Sequence, residues 1–348
     1  MFEILLNNII PFVIILTILV FVHELGHYSI ARYNGVKVEV FSIGFGKELF
    51  GFSDKSGTRW KFSLVPLGGY VKMHGDLDEA SSKKNTKNIN PEESFHDKTL
   101  NQRSWILFAG PAANFIFSFI LLIFINTYYG YSENIPKISY VDQDKSAYEA
   151  GIREGDTIIE INKQKINNFS DLQKIISTNN NRLIEVNFIR DNKVKSISVK
   201  VEKNLIGIRG TIEKKKLDFL SSVIQSSEQI INFLKLTIIG VYEIITGTRG
   251  ADELGGPIRI AELSGDFWEK GIESTLWFMM IISLNLGLIN LFPIPMLDGG
   301  HLLLNLVEFV NGKPLNQKYL ELAHTFGFFI LISLMIFATY NDISRFFD

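Results

Sequence analysis

The sequence predicts a polytopic α-helical membrane protein of about four transmembrane helices, with a β-hairpin region and one inserted extracytoplasmic α+β domain. Three observations predict it. Of 348 residues, 46% are hydrophobic and the mean hydropathy is +0.15, too apolar for an ordinary water-soluble chain of this length. Four runs are long and greasy enough to cross a bilayer, which takes about 20 mostly apolar residues. Between the second and third, a polar stretch alternates hydrophobic and polar residues and breaks at turn signals, the pattern of short strands.

The four runs are Ile4–Val22, Ile106–Tyr129, Leu276–Phe292 and Thr325–Tyr340. The first has no basic segment ahead of it, and HELGH stands where a small-residue cleavage site would be, so it reads as a span and not a signal peptide. A fifth run, Leu217–Ile245, carries Asp218, Glu228, Lys235 and Glu243 among apolar residues at helical spacing. It reads as an amphipathic helix at the membrane interface. Val36–Gly75 turns on glycines and alternates, predicting β-hairpins, and the lysine-rich Asp76–Asn101 predicts a connector.

Within the polar stretch, Thr157–Asn162 predicts a strand, FSDLQKIIS a short helix capped by Ser170, and Asp191-Asn192 a hairpin turn. AGIREGDTIIEIN resembles the most recognisable segment of bacterial PDZ domains, and that resemblance covers Tyr131–Thr211. The expected division is residues 1–130 for the first two spans and hairpins, 131–211 for the PDZ domain, 212–270 for the interfacial helix and connector, and 271–348 for the last spans.

Chemistry concentrates at the exit of the first span, in FVHELGH. On a helix His23 and His27 project from one face and can bind one ion, while Glu24 beside them can take a proton from water at the metal. Without cysteine, disulfides and thiolate sites are excluded, so a third ligand comes from His, Asp or Glu. Asp298 is one candidate, in NLGLINLFPIPMLDGGH, where two prolines break the third span; the other is that it merely opens a turn. His74, His96, His301 and His324 remain as alternatives. Parity favours Asp298: with four spans and an interfacial fifth helix it emerges on the HELGH side, whereas a fifth span would put it about 30 Å away. A net charge of −2 gives no basic footprint, so no nucleic-acid partner is expected.

HELGH, AGPAANF (Ala109–Phe115), the PDZ segment and NLFPIPMLDGGH together closely resemble the site-2 protease family of intramembrane zinc metalloproteases, in that family's order and over nearly the whole chain. The resemblance implies a zinc cofactor (Zn2+) held by His23, His27 and Asp298, with Glu24 the catalytic base. It implies that Asn114 packs near the site and that Asn285 and Asn290 hold unwound substrate backbone. The hairpins around Gly44, Phe45 and Gly46 would be a membrane-associated β-region that pairs with substrate. Expected substrates are transmembrane proteins such as anti-sigma factors, or remnant signal peptides, cut as the site-2 step of regulated intramembrane proteolysis. What the PDZ domain binds stays open. Some members carry tandem PDZ domains and this chain has room for one. A PDZ scaffold with a vestigial site is the alternative, against which intact His23, Glu24, His27 and Asp298 stand. Arg32 and Lys37 follow the first span and no basic residue precedes it. The expected place is therefore the inner membrane, with the active site cytoplasmic and the PDZ domain outside.

Overall fold

The structure, a computed structural model, describes residues 5–75, 91–345 and 347. Residues 76–90 of the expected connector and Ile4 of the first run lie outside the described residues. The chain forms two compact units, Met1–Ile125 with Val223–Asp348, and Asn126–Ser222.

In the first unit a π-helical turn, Leu5–Ile9, runs directly into α1 (Ile10–Tyr33), the change of helix type falling beside Pro11, whose missing N–H breaks the regular ladder there. Ile15, Leu19, His23, Glu24, His27 and Ala31 lie on its buried side, and Ile10, Ile14 and Ile18 are exposed. The helix passes Val22, the end of the apolar run, by three turns. Tyr28 to Tyr33 carry only one charge and continue it until Asn34 and Gly35, the latter at φ +72, end it with Val36 N–H on the Ala31 carbonyl. HELGH therefore sits inside the helix, and not at its exit as the hydropathy suggests.

β1 (Val38–Ser53) and β2 (Arg59–Met73) are antiparallel and fold back on themselves. Residues 40–43 pair with 69–72 on one side and 59–62 on the other, and 59–62 pair in turn with 50–53. Residues 66–73 thus form one edge of a small sheet. Val36, Val38, Met73, Ala31 and Ile106 join it to the helices in one apolar cluster.

α2 (Leu100–Tyr128) runs antiparallel to α1, with Gly26 against the Ala109 backbone and Asn114 beside His23. α6 (Pro257–Glu269) and α7 (Ile272–Asn290) follow α5 (Phe219–Ile245). Ile15, Leu19, Phe278 and Met279 form the apolar contact of α1 and α7. Ser118 and Ser283 hydroxyls donate to the Met280 and Asn114 carbonyls, tying α7 to α2 where no water competes. α5 is not free on a surface: Phe233 meets Trp277 edge-on at 5.9 Å and Thr237 donates to Asn285 at 3.2 Å, so it leans along α7. α8 (Asp298–Asn311) and α9 (Gln317–Ser344) complete the unit.

Four helices among the described residues are long and apolar enough to cross a membrane: Leu6–Tyr33, Leu100–Tyr128, Ile272–Asn290 and Lys318–Ser344. Each outruns its hydropathic core at one end or both.

The second unit holds β3 (Tyr131–Val141), α3 (Ser146–Glu149), β4 (Thr157–Ile161), β5 (Gln164–Lys165), α4 (Phe169–Thr178), β6 (Leu183–Arg190), β7 (Lys193–Lys200) and β8 (Ile208–Lys215). They form an antiparallel sheet of order β7-β6-β4-β3-β8, with β5 on β4. Asp191 and Asn192, both at positive φ, make the β6–β7 turn. Asn168, and not Ser170, caps α4: its side chain accepts from Asp171 N–H at 2.9 Å, two residues earlier than expected. Ile138, Ile158, Ile161, Leu172, Val186 and Phe188 fill the core.

Candidate metal centre

α1 places His23 and His27 one turn apart, their Nε2 atoms 3.2 Å from each other. The third span ends at Asn290, the FPIP segment turns the chain, and α8 restarts at Asp298. Between them Met296 adopts φ +86, a strained conformation for a side chain of its size. The turn aims Asp298 at the histidines, Oδ2 lying 3.2 Å from His23 Nε2 and Oδ1 3.4 Å from His27 Nε2. Burial disfavours the charge on Asp298, but the facing imidazoles outweigh it and hold the carboxyl well below the ordinary carboxylate range.

These spacings fit a zinc ion. Tetrahedral coordination with bonds of about 2.05 Å puts neighbouring donor atoms about 3.3 Å apart, close to the 3.2 Å between the imidazole nitrogens and the 3.2 and 3.4 Å from each to its own Asp298 oxygen. The donors are also prepared for it. His27 Nδ1 meets the Ile106 carbonyl at 2.9 Å, which fixes the proton on Nδ1 and leaves the Nε2 lone pair for a metal. His23 Nδ1 lies 3.1 Å from the Asn114 amide nitrogen, and the Asn114 carboxamide oxygen is buried without a partner among the described residues. Turning that amide over satisfies both groups at once: Nδ1–H donates to the oxygen, and His23 Nε2 is freed. Asn114→Leu should accordingly weaken zinc binding about 10–100-fold, as removal of such partners does. Competition with a chelator measures it, and undiminished affinity would sink this role for Asn114.

Glu24 is buried beside the ligands, with Gly69 of β2 against it; a Cβ there would stand 3.1 Å from Glu24 Cγ. Gly110 stands against the His27 ring, where any side chain would collide. Neither glycine is singled out by the sequence pattern beyond its place in GGY and AGP.

The other candidates disperse. Asn290 Nδ2 is 3.4 Å from His23 Nε2, at the metal side of the site, whereas Asn285 accepts from Thr237. Gly44 and Gly46 take φ +86 and +87 at a bend of β1, where a Cβ on Gly44 would strike the Val65 backbone. Phe45 between them is exposed and stacks on Tyr70 at 6.1 Å. His74 pairs with Glu39, and His301 faces His324 with ring centres 5.0 Å apart. Among the described residues the one metal-capable group of three is His23, His27 and Asp298, their ligand atoms all within 4.8 Å.

The sequence matches the model of Peptidase family M50 over residues 11–334. Among its relatives, a Rhizobium meliloti protein named "Putative zinc metalloprotease R01501" is 36% identical over 96% of this chain and 95% of its own. A Rickettsia conorii protein, "Putative zinc metalloprotease RC0203", is 38% identical over 98% and 99%. One from Campylobacter jejuni, "Putative zinc metalloprotease Cj1068", is 37% identical over 96% and 92%. A solved PDZ domain of a Listeria monocytogenes SdrC-like protein also matches, at 21% identity over 25% of this chain and 90% of its own; its TM-score of 0.20 carries no weight. The chain belongs to peptidase family M50, the site-2 protease family, and is a membrane-embedded zinc metalloprotease.

Proposed function

We propose that this enzyme cuts peptide bonds within or beside the transmembrane segments of other membrane proteins, with His23, His27 and Asp298 as zinc ligands and Glu24 as base. The observation that carries this is the position of the ligands: two lie inside a spanning helix and the third where another span breaks. A carbonyl in a spanning helix is shielded and hydrogen-bonded, so hydrolysis needs the substrate unwound. The edge formed by residues 66–73 supports that step, because Gly69 sets it against Glu24 and an extended peptide can add there as a strand. Asn290 is within reach of backbone groups left over.

When bound, zinc supplies a Lewis acid that polarises the scissile carbonyl and acidifies water. Glu24 takes the proton from the attacking water and passes it to the departing amide nitrogen. The Ile106 carbonyl and Asn114 hold the two imidazoles in the tautomer this requires. Anti-sigma factors and remnant signal peptides are the substrate classes we assign, as the site-2 step of regulated proteolysis.

For topology we propose four spans in the inner membrane, with the ligands toward the cytoplasm and residues 131–211 forming a PDZ-type domain outside. Residues 212–270 then begin and end on that outer side, without crossing. Two contacts support this. Tyr131, just past α2, pairs with Lys215 just before α5, and Gly256, beyond α5, donates to Asp342 at the far end of α9. If the ends of α2 and α9 lie on one side, as four spans require, neither end of α5 needs to cross. Single cysteines are clean probes in a chain that has none. Cysteines at Asp144 and Lys270 should react with an impermeant reagent from outside, and those at Ser56 and Asn316 only after the membrane is opened. Opposite sides for Asp144 and Lys270 would make α5 a span and overturn the proposed topology.

A further inference from the structure

α8, which begins with Asp298, is seated in an unusual way. Its buried residues are Gly299, Gly300, Asn305 and Glu308, none with an apolar side chain of any size. Its apolar residues are half-buried, as Leu302 and Leu304 are, or point away from the protein: Leu306, Phe309 and Val310 are 56%, 71% and 76% exposed. No apolar side chain of α8 is fully buried, so apolar packing fixes its rotation and its register along α2 only in part. The glycines let its first turn press on the broken segment, Gly299 against the Leu291 and Phe292 carbonyls and Gly300 against Ile294. Farther along, the described contacts that set its position are polar. Asn305 donates to the Ser104 hydroxyl at 3.2 Å, and Arg103 Nη2 donates to Glu308 Oε2 at 2.7 Å. That ion pair is well covered, with 14% and 7% of the two side chains exposed. The other Glu308 oxygen accepts from Leu315 N–H, so the same carboxylate also ties down the loop leaving α8.

A pair so enclosed is costly to desolvate and adds little net stability over apolar packing, but it is directional. Ion pairs inside membrane proteins mark places where position matters. Arg103 belongs to the first turn of α2, the helix that also supplies Ile106 to His27 and Asn114 to His23. We propose that Arg103–Glu308 is a positioning pair: it locks α8 to α2 so that Asp298 meets the metal in register with the two histidines. This rests on Asp298 being the third ligand. Neither residue touches the reacting atoms; both act through Asp298.

The test reads zinc release from the purified full chain into a chelator, at a temperature where every variant is folded by circular dichroism. Glu308→Gln and Arg103→Met should each release zinc about 10-fold faster, the low end for loss of an outer partner. Arg103→Lys, which keeps the charge and is the milder change if Arg103→Met does not fold, should show a smaller acceleration. The reversed pair, Arg103→Glu with Glu308→Arg, should return to within about twofold of the parent. In an Asp298→Asn background, Glu308→Gln should add no further acceleration. A purely structural pair would lower the melting temperature and leave zinc release from folded protein unchanged, which overturns the proposal. So does equal acceleration by Glu308→Gln with and without Asp298. Parent-like release from Asp298→Asn alone would overturn it differently, by removing the ligand on which it rests.

Discussion

Glu24→Gln should lose turnover by roughly 10³-fold, within the range that a positioned general base contributes, and still carry one zinc per chain. The two parts of this result test different things. Glutamine keeps the volume of glutamate, so the contact with Gly69 of β2 and the packing of α1 survive. The proposed ligands His23, His27 and Asp298 are untouched, so metal content should equal that of the parent. What disappears is the carboxylate that accepts the proton of the attacking water, and no neighbouring group replaces it: both facing imidazoles and Asp298 are occupied by coordination in this assignment. Substrate should still be captured, so the variant should co-purify with uncut membrane proteins. Mass spectrometry of what accumulates then names the substrate. Survival of activity, or loss of zinc from this variant, would show that Glu24 has another role.

HELGH was legible because helical spacing alone puts two imidazoles on one face with the carboxylate next to them. Asp298 was half legible. The prolines announce a break in the third span, but only resemblance and span parity chose the carboxylate over a turn-opening residue. The end of α1 was missed for a simple reason. Hydropathy reports where a helix stops being greasy, and Tyr28 to Tyr33 continue it without being so. That shift leaves six residues of helix beyond His27. The double pairing of β1 was also unreadable, since alternation identifies strands but not which of two partners each segment takes.

The seating of α8 was hidden for a deeper reason. Sequence reading assigns apolar positions to the inside, and in α8 that rule is inverted: Asn305 and Glu308 are inside, Leu306 and Phe309 outside. A bilayer removes the penalty for exposed apolar side chains, so the pattern marks the lipid side instead. Asn114 escaped in part too. Its place near the site was expected from the family, but the amide facing His23 with its oxygen unsatisfied emerges only when the helices are packed.

Asp298→Ala should remove both zinc and activity, with a loss of metal affinity greater than the 10–100-fold typical of an outer partner such as Asn114. Alanine takes away one of three protein donors and the only negative one, leaving two neutral imidazoles 3.2 Å apart with nothing opposite them. Asp298→Asn should fall between, because it keeps one oxygen donor and the shape of the turn while losing the charge. The backbone at Met296 and the glycines after Asp298 are unchanged in both, so α8 should fold and the comparison should report coordination and not collapse. Alanine at His74, His301 or His324 should leave metal content near the parent's, since these groups are engaged with Glu39 or with each other. Metal content by atomic emission and competition with a chelator decide it. If Asp298→Ala binds zinc normally while one of those histidine variants does not, the ligand set is wrong, and so is the requirement that the third span end on the same side as the first.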